Sequence, residues 1–387
     1  MAPSPAAQRL AFVDGMRALS ALWVIAFDVW RFQGSPDLWP LTPLFQSGHL
    51  GVEVFMVLSG FCLFYPFAHK GALPPGHWRQ FFIRRVRRIL PPYYVAIAYA
   101  IAMPLAAAAL LARFRVHAPL PDRPTAWDLA SHLTLVHNLF PDVRSTLNAS
   151  FWSLSLEAQF YLVFPLMAIA VLRARWLGVA AIAGLCLLYR GAVTLGLFGV
   201  DPTVSTTAYG AIVGRLTIFG AGMLAAWIVR NGMAGPVSQG MNRLGDTMTL
   251  PMLALGYWWY FHPWGPVPLS DMVIGTAIAW ALVRYATTPR RVAAWLSAPW
   301  LVAIGEISYS FYLINRPTCY YVGVAVRHWL KANDGIQLVA SLGLGVLVSL
   351  AIARLFYQAF ERPFLLARSG QATTPVGLRT TLTSAGT

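Results

Sequence analysis

The chain of 387 residues is 57% hydrophobic and 11% charged, with a mean hydropathy of +0.58. Ordinary soluble domains contain about 25% charged residues, so this composition excludes a disordered chain and argues against a soluble enzyme. The net charge is +15, from 29 basic and 14 acidic residues, but the basic residues lie between apolar runs rather than on one surface. That distribution is typical of a membrane protein and argues against nucleic-acid binding.

Apolar runs of about 20 residues are long enough to cross a bilayer as helices. In chain order they are 16–33, 50–68, 89–112, 153–172, 176–198, 208–229, 247–262, 269–285, 300–323 and 336–358. The first run is followed by the polar segment Asp28–Arg31 without a small-residue cleavage site, so we expect it to remain as the first span. The sequence therefore predicts an all-α integral membrane protein, a bundle of about ten transmembrane helices in the bilayer.

The basic residues predict the orientation of these spans. With the N-terminus in the cytoplasm, 19 of the 29 fall in cytoplasmic segments, seven in outer segments and three within spans. The three within spans are Arg190, Arg215 and Arg316. An excess of Arg and Lys in cytoplasmic loops is the general rule, so we predict that both termini are cytoplasmic and that the chain lies in the bacterial cytoplasmic membrane.

The connection 113–152 is the longest, on the predicted outer side. Within it, Trp127–Phe140 interleaves polar and apolar residues and predicts an amphipathic helix at the membrane interface. The tail from Arg368 is rich in Thr, Ser and Gly, which favours disorder. The three cysteines lie within apolar runs, so we expect neither a disulfide framework nor a metal site.

Ionisable side chains inside a span are costly and are therefore candidates for function. Arg17 and Asp28 are eleven residues apart, so a helix places them on one face, about 16 Å apart along its axis. Arg17 would lie near the cytoplasmic surface, where it could hold a phosphate-bearing donor, and Asp28 deeper, where it could take a proton. The alternative interpretation is an arginine that fixes topology and an acidic residue at a helix end.

Four polar residues alternate with apolar ones where the chain enters the fourth predicted span. They are Ser153, Ser155, Glu157 and Gln159. This pattern indicates a hydrated cavity, in which Glu157 could act as a general base or orient an acceptor hydroxyl. The alternative is a helix cap with an acidic first turn at the interface.

A basic run directly precedes the third predicted span, at the cytoplasmic face. Its members are Arg84, Arg85, Arg87 and Arg88. Guanidinium groups bind phosphates in a bidentate manner, so this run is a candidate donor site. An anchor on anionic lipids is the alternative interpretation.

In combination, these motifs resemble the acyltransferase-3 family of multi-pass membrane O-acyltransferases. The resemblance covers about Leu10 to Leu365 and is most specific in the Trp-Ser-Leu-Ser-x-Glu-x-Gln-Phe-Tyr block within Phe151–Pro165. The other matching blocks are Asp14–Arg17, Gly51–Phe61, Arg84–Pro91, Arg215–Met223, Ile307–Leu313 and Phe360–Phe364.

The resemblance implies a particular reaction and domain organisation. An acyl group, most simply acetyl, would pass from acyl-CoA (acetyl-CoA) as co-substrate, without a bound cofactor, to a hydroxyl of a sugar, glycan or other acceptor. Residues 1–9 would form a short cytoplasmic segment, 10–365 the acyltransferase-like transmembrane domain, and 366–387 the disordered cytoplasmic tail.

The sequence departs from the family at two positions where members carry histidine, which here are Asp28 and Asn315. Imidazole takes and returns a proton near neutral pH. An aspartate needs burial to raise its pKa before it can do the same, and an asparagine can only hydrogen-bond.

Three functions therefore stay open from the sequence. The first is an active O-acyltransferase that uses Asp28 as base, with Glu157 or His137. The second is an acyltransferase fold with impaired or lost catalysis that still binds acyl-CoA. The third is a small-molecule transporter, against which stands the lack of an inverted repeat.

For the acyltransferase, Arg17, Asp28 and Glu157 are the predicted catalytic residues, and the arginines between 84 and 88 are the predicted donor site. The predicted acceptor and cavity residues are Glu53, His137, Ser153, Ser155, Gln159, Arg215, Tyr309 and Asn315.

Overall fold

The computed structural model describes residues 11–68, 77–197, 210–232, 247–262, 269–287 and 291–366, and within these ranges the chain is helical without strands. The α-helices are α1 (Ala11–Phe32), α2 (Thr42–Gln46), α3 (Gly51–Phe64), α4 (His77–Ala112), α5 (Ala126–Leu133), α6 (Trp152–Ala174), α7 (Trp176–Thr194), α8 (Ile212–Asn231), α9 (Thr249–Phe261), α10 (Ser270–Thr287), α11 (Arg291–Leu296), α12 (Pro299–Glu306), α13 (Ser308–Trp329), α14 (Asp334–Phe356) and α15 (Arg362–Leu366). Short 3₁₀ turns precede α3 and α6, a third follows α5 at His137–Leu139, and a π-helical turn at Tyr357–Glu361 joins α14 to α15.

Five of the described helical segments are long and apolar enough to cross a membrane, which confirms the membrane class of the chain. They contain α4, α6, α7, α8 and α14. Helices α1 and α13 have 22 residues each, enough for about 33 Å of rise, but they also carry the charged residues discussed below. The total of ten spans stays a prediction, and the two termini lie outside the described residues.

Helix α1 occupies the centre of the bundle, where it packs against α3, α12, α13 and α14. Its fully buried positions Ala18, Ala21 and Ile25 follow the helical repeat, and the small size of the two alanines allows neighbouring helices to approach closely. Because α1 is surrounded by protein, its polar side chains need partners within the protein.

The predicted span 300–323 is not one continuous helix. The helical hydrogen-bond pattern is interrupted at Ile307, which separates α12 from α13. Helix α12 packs closely on α1 just before this point: a Cβ atom on Gly305 would lie 2.1 Å from the carbonyl oxygen of Asp14. Backbone contact therefore fixes α12 against the beginning of α1, while α13 continues along α1 and α4.

Helix α4 begins at His77, twelve residues before the predicted start of the third span at 89. The arginines 84–88 are therefore part of the helix rather than of a preceding loop. This placement fixes their directions, because residues three or four apart on a helix share a face.

The connection 113–151 differs from the predicted interfacial helix. Its helix α5 ends at Leu133, because Leu135 adopts a left-handed backbone conformation with φ 57°. Asp128 and His132 are buried in the protein, whereas Trp127 and Leu133 are 44% and 47% exposed. The polar side of this segment thus faces the bundle and its apolar side faces away, opposite to an amphipathic helix in water.

The same connection is tied to α13 at a proline. Pro317 has no N–H, so the carbonyl of Leu313, four residues earlier, lacks its usual helical donor. Asn148 Nδ2 donates to this carbonyl at 3.1 Å. A side chain of the connection thereby replaces the lost helical bond, as is needed where water is excluded.

We predict that Gly222→Leu destabilises the protein by more than about 2 kcal/mol, because a Cβ at this position would lie 2.0 Å from the carbonyl oxygen of Val57 in α3. The measurement is the thermal midpoint of the purified protein in detergent. Gly343→Leu is the matched control, since nothing lies within 4 Å of a Cβ there. Equal midpoints for the two variants would contradict the close packing of α3 and α8.

Candidate active site

A cavity of about 520 Å³ lies between α1, α3, α4, α6 and α13. Three arginines line it, namely Arg17, Arg85 and Arg88, and we call it the arginine cavity. Predicted site residues Ser153, Glu157 and Tyr309 also line it. The structure thus brings together residues that are far apart in the sequence and that the motifs singled out independently.

Glu157 is held in this cavity by two hydroxyl groups. Tyr161 Oη donates to Glu157 Oε1 at 2.5 Å, and Ser59 Oγ donates to the same oxygen at 3.2 Å. Tyr161 lies one turn further along α6, and Ser59 reaches across from α3. Since both donors converge on Oε1, the second carboxylate oxygen Oε2 is the one left for a substrate.

The arginines of the cavity are held by different neighbours. Arg17 Nη1 pairs with Asp14 Oδ1 at 3.2 Å, and its Nη2 contacts Cys62 Sγ at 3.5 Å. The guanidinium of Arg85 lies 5.6 Å from the ring centre of Phe81 and 5.7 Å from that of Tyr161. Contacts with aromatic faces hold an arginine in place without neutralising its charge.

Arg84 and Arg87 differ from the other members of the predicted donor site. Arg87 is exposed on α4, and neither residue is among those that line the arginine cavity. The spacing explains the division: Arg85 and Arg88, three apart, share the helix face that meets the cavity.

A second cavity of about 300 Å³ is bounded by the connection 113–151 together with α1, α4 and α13. Four prolines line it, namely Pro104, Pro119, Pro121 and Pro317, and we call it the proline cavity.

The two cavities lie at different levels along the same three helices. The paired positions, arginine cavity first, are Arg17 and Phe32 on α1, Arg88 and Pro104 on α4, and Tyr312 and Arg316 on α13. With the predicted orientation, the arginine cavity is on the cytoplasmic side and the proline cavity on the outer side.

Asp28 lies between the cavities and forms an ion pair with Arg316 Nη1. The carboxylate is 2% exposed, and among the described residues it lines neither cavity. Its second oxygen Oδ2 and both side-chain polar atoms of the fully buried Asn315 have no hydrogen-bond partner in the described part of the chain. The two positions that depart from the family motif therefore hold buried polar groups in the layer between the cavities.

Glu53 and Arg215 pair with each other away from both cavities. Arg215 Nη1 also lies 3.3 Å from Asp271 Oδ2, and Arg190 binds the same carboxylate at 2.5 Å. Arg190 Nε donates in addition to the carbonyl of Gly214 at 2.8 Å. This network joins α3, α7, α8 and α10, so its geometry favours a packing role for residues that the sequence placed in the acceptor cavity.

His137 is fully buried, and its ring is stacked on that of His132 with centroids 3.9 Å apart. Burial, and to a smaller extent the neighbouring His132, lowers the pKa of His137 to about 3. The ring is therefore neutral at physiological pH. It lines neither cavity, so its position does not support a role as base.

Ser155 and Gln159 line neither cavity. Both bind the side chain of Asn138 instead. Ser155 Oγ donates to Asn138 Oδ1 at 2.5 Å, and Gln159 Nε2 donates to the same oxygen at 2.7 Å. These bonds attach the beginning of α6 to the connection 113–151.

Several cavity residues were not singled out from the sequence. They are Ser59, Tyr161 and Tyr312 in the arginine cavity. Glu306 in that cavity and Arg316 in the proline cavity were predicted only as ionisable residues within spans, without a place in a site. Tyr161 and Tyr312 do lie inside matching motif blocks, and Arg316 is one of three arginines inside predicted spans. Their roles depend on contacts between distant helices, which periodicity does not reveal. Among the described residues, no cluster of three or more potential metal ligands occurs.

The comparison with known proteins assigns a family to this arrangement. The acyltransferase domain model matches residues 10–356, so the chain belongs to that family. It is 28% identical to "Acyltransferase MdmB" of Streptomyces mycarofaciens over 380 residues, which cover 88% of this chain and 89% of the relative. Membership confirms the predicted resemblance and the predicted class of enzyme, an acyltransferase.

Two further relatives carry the name peptidoglycan O-acetyltransferase, one of them as a putative assignment. The chain is 25% identical to "Putative peptidoglycan O-acetyltransferase YrhL" of Bacillus subtilis, over 91% of this chain and about half, 54%, of the relative. It is 29% identical to "Peptidoglycan O-acetyltransferase OatA" of Listeria monocytogenes over 42% of this chain and 24% of the relative. No solved structure matches the chain.

Proposed function

We propose that this protein transfers an acyl group, most simply acetyl, from acyl-CoA to a hydroxyl group of a sugar, glycan or other hydroxylated acceptor. The observation that carries the proposal is the arginine cavity, in which Arg17, Arg85 and Arg88 share one space with the carboxylate of Glu157. Its volume of about 520 Å³ is within the range of small-molecule sites.

The three arginines are the proposed donor site. Coenzyme A carries several phosphate groups, and guanidinium forks bind phosphate oxygens in a bidentate manner. The predicted orientation supports this role, because it puts the arginines on the side of the membrane where acyl-CoA is found.

The proposed reaction joins the acyl carbon to the acceptor oxygen and breaks its bond to the CoA sulfur. As the hydroxyl oxygen attacks, its proton passes to Glu157 Oε2. The carboxylic acid then returns this proton to the departing sulfur, which yields the ester, free CoA and the original carboxylate. Tyr161 and Ser59 hold the carboxylate in position through Oε1 throughout.

Two observations favour Glu157 over Asp28 as the proton acceptor. Glu157 lines the same cavity as the arginines, whereas Asp28 does not. Asp28 is also engaged by Arg316 and is buried between the two cavities without lining either of them. In this proposal Asp28 orders the layer between the cavities, and the activity does not depend on a histidine at position 28.

We predict that Arg85→Ala raises the apparent KM for acetyl-CoA about tenfold or more while kcat changes less, because the donor loses a phosphate ligand. The measurement is transfer of labelled acetyl groups by membranes that contain the full chain. Arg87→Ala is the matched control, since Arg87 is two residues away on the same helix but exposed. An equal effect of the two substitutions, or a loss confined to kcat, would remove Arg85 from donor binding.

We predict that Glu157→Gln lowers kcat by about 10²–10⁴-fold, because the amide keeps the size of the side chain but cannot accept the proton. The KM for acetyl-CoA should stay within a few-fold of the wild-type value. Gln159→Glu provides the control for a change of charge on the same helix. Unaltered turnover of Glu157→Gln would limit Glu157 to a structural role, as the acceptor of the Tyr161 and Ser59 hydroxyls.

A further inference from the structure

The proline cavity has no role in the donor site, yet it is built from ordered parts of four segments. Phe32 of α1, Pro104 of α4 and Tyr320 of α13 form its walls, and Pro119 and Asn148 of the connection 113–151 close it. Its volume of about 300 Å³ is that of a site for a small ligand or for one part of a larger one.

The walls offer flat faces to a ligand. Phe32 and Tyr320 pack edge to face with ring centroids 5.3 Å apart, and Tyr320 and Tyr321 are related in the same way at 5.1 Å. Aromatic and proline rings present apolar surfaces with polar edges nearby. Such walls suit a cyclic molecule, which has apolar faces and oxygen atoms around its rim.

Arg316 supplies the hydrogen-bond donors of this cavity. Its side chain is 24% exposed and its guanidinium lies 5.1 Å from the ring centre of Phe32, which fixes its orientation. The ion pair with Asp28 engages Nη1, whereas a guanidinium carries five N–H donors in a planar fork. Because Asp28 balances the charge, a neutral ligand is favoured: an anionic group placed near Arg316 would also meet the carboxylate of Asp28.

The proline cavity is close to the donor. Tyr312 lines the arginine cavity and Arg316 the proline cavity, and these residues are one helical turn apart, about 6 Å along the axis of α13. A ligand beside Arg316 is therefore near enough for a hydroxyl group on it to extend past Tyr312 into the arginine cavity, where Glu157 and the acyl carbon of the donor would lie.

We propose that the proline cavity binds the acyl acceptor, that the acceptor is a neutral hydroxylated ring compound, and that Arg316 positions it through hydrogen bonds to its oxygen atoms. This proposal rests on the acyltransferase function proposed above. It adds the acceptor site, the chemical class of the acceptor and a residue that determines specificity.

The test uses labelled acetyl-CoA, membranes containing the full chain, and a butanol extract of the organism that encodes it as the source of acceptor. Ser145→Trp places an indole at the proline cavity, which Ser145 lines from an exposed position. Asp122→Trp is the matched control, because Asp122 is exposed on the same connection and does not line the cavity. Binding of labelled acetyl-CoA to each purified protein reports the donor site separately.

We expect Ser145→Trp to lower the yield of labelled product at least tenfold while acetyl-CoA binding stays within twofold of wild type, and Asp122→Trp to leave both unchanged. Arg316→Lys keeps a positive charge beside Asp28 but loses the planar set of guanidinium N–H donors. We therefore expect this variant to need about fivefold more extract to reach the wild-type rate of transfer. The labelled product should pass through an anion-exchange column, as a neutral compound does.

Three other outcomes would each contradict one part of the proposal. If the wild-type chain makes no labelled product, the proposed function fails and the acceptor site with it. If the wild type is active but Ser145→Trp and Arg316→Lys keep full transfer, the acceptor does not bind in the proline cavity, and the proposed function stands. If the labelled product is retained by the anion exchanger, the acceptor is not neutral.

Discussion

The ion pair between Asp28 on α1 and Arg316 on α13 is the constraint on which the centre of the molecule depends. Both residues belong to helices that are surrounded by other helices, where a charge without a partner is costly. Removal of one member of a buried ion pair typically costs about 3–5 kcal/mol. The pair therefore fixes the register of α13 against α1, and with it the positions of Tyr312 and the residues around Arg316.

This fixed register divides the interior into two compartments with different chemistry. On one side, three arginines and Glu157 share a cavity that suits a phosphate-bearing donor. On the other side, aromatic and proline side chains surround Arg316 in a cavity without an excess of charge. Each substrate can then enter from its own side, and the acceptor hydroxyl must extend past Tyr312 into the arginine cavity for its oxygen to attack the acyl carbon.

The sequence predicted the helical membrane class, the family and much of the arginine cavity, since these depend on composition and on local motifs. The interruption at Ile307 and the adjacent backbone contact of Gly305 with Asp14 were not predicted, because the contact joins helices that are far apart in the sequence. The burial of the polar side of α5 was also not predicted, since periodicity alone does not tell which side faces protein. The partners of Asp28, Glu53 and Arg215 lie on distant helices, so their pairing required the structure.

The central claim is that Asp28 orders the layer between the cavities and that Glu157 accepts the proton. It is tested most directly by labelled acetyl transfer from acetyl-CoA in membranes containing the wild-type chain or Asp28→His. The account predicts clear activity of the wild type and a lower rate for Asp28→His, because the imidazole cannot balance Arg316. A rise of several orders of magnitude on restoring histidine would contradict it and identify the natural chain as one with impaired catalysis.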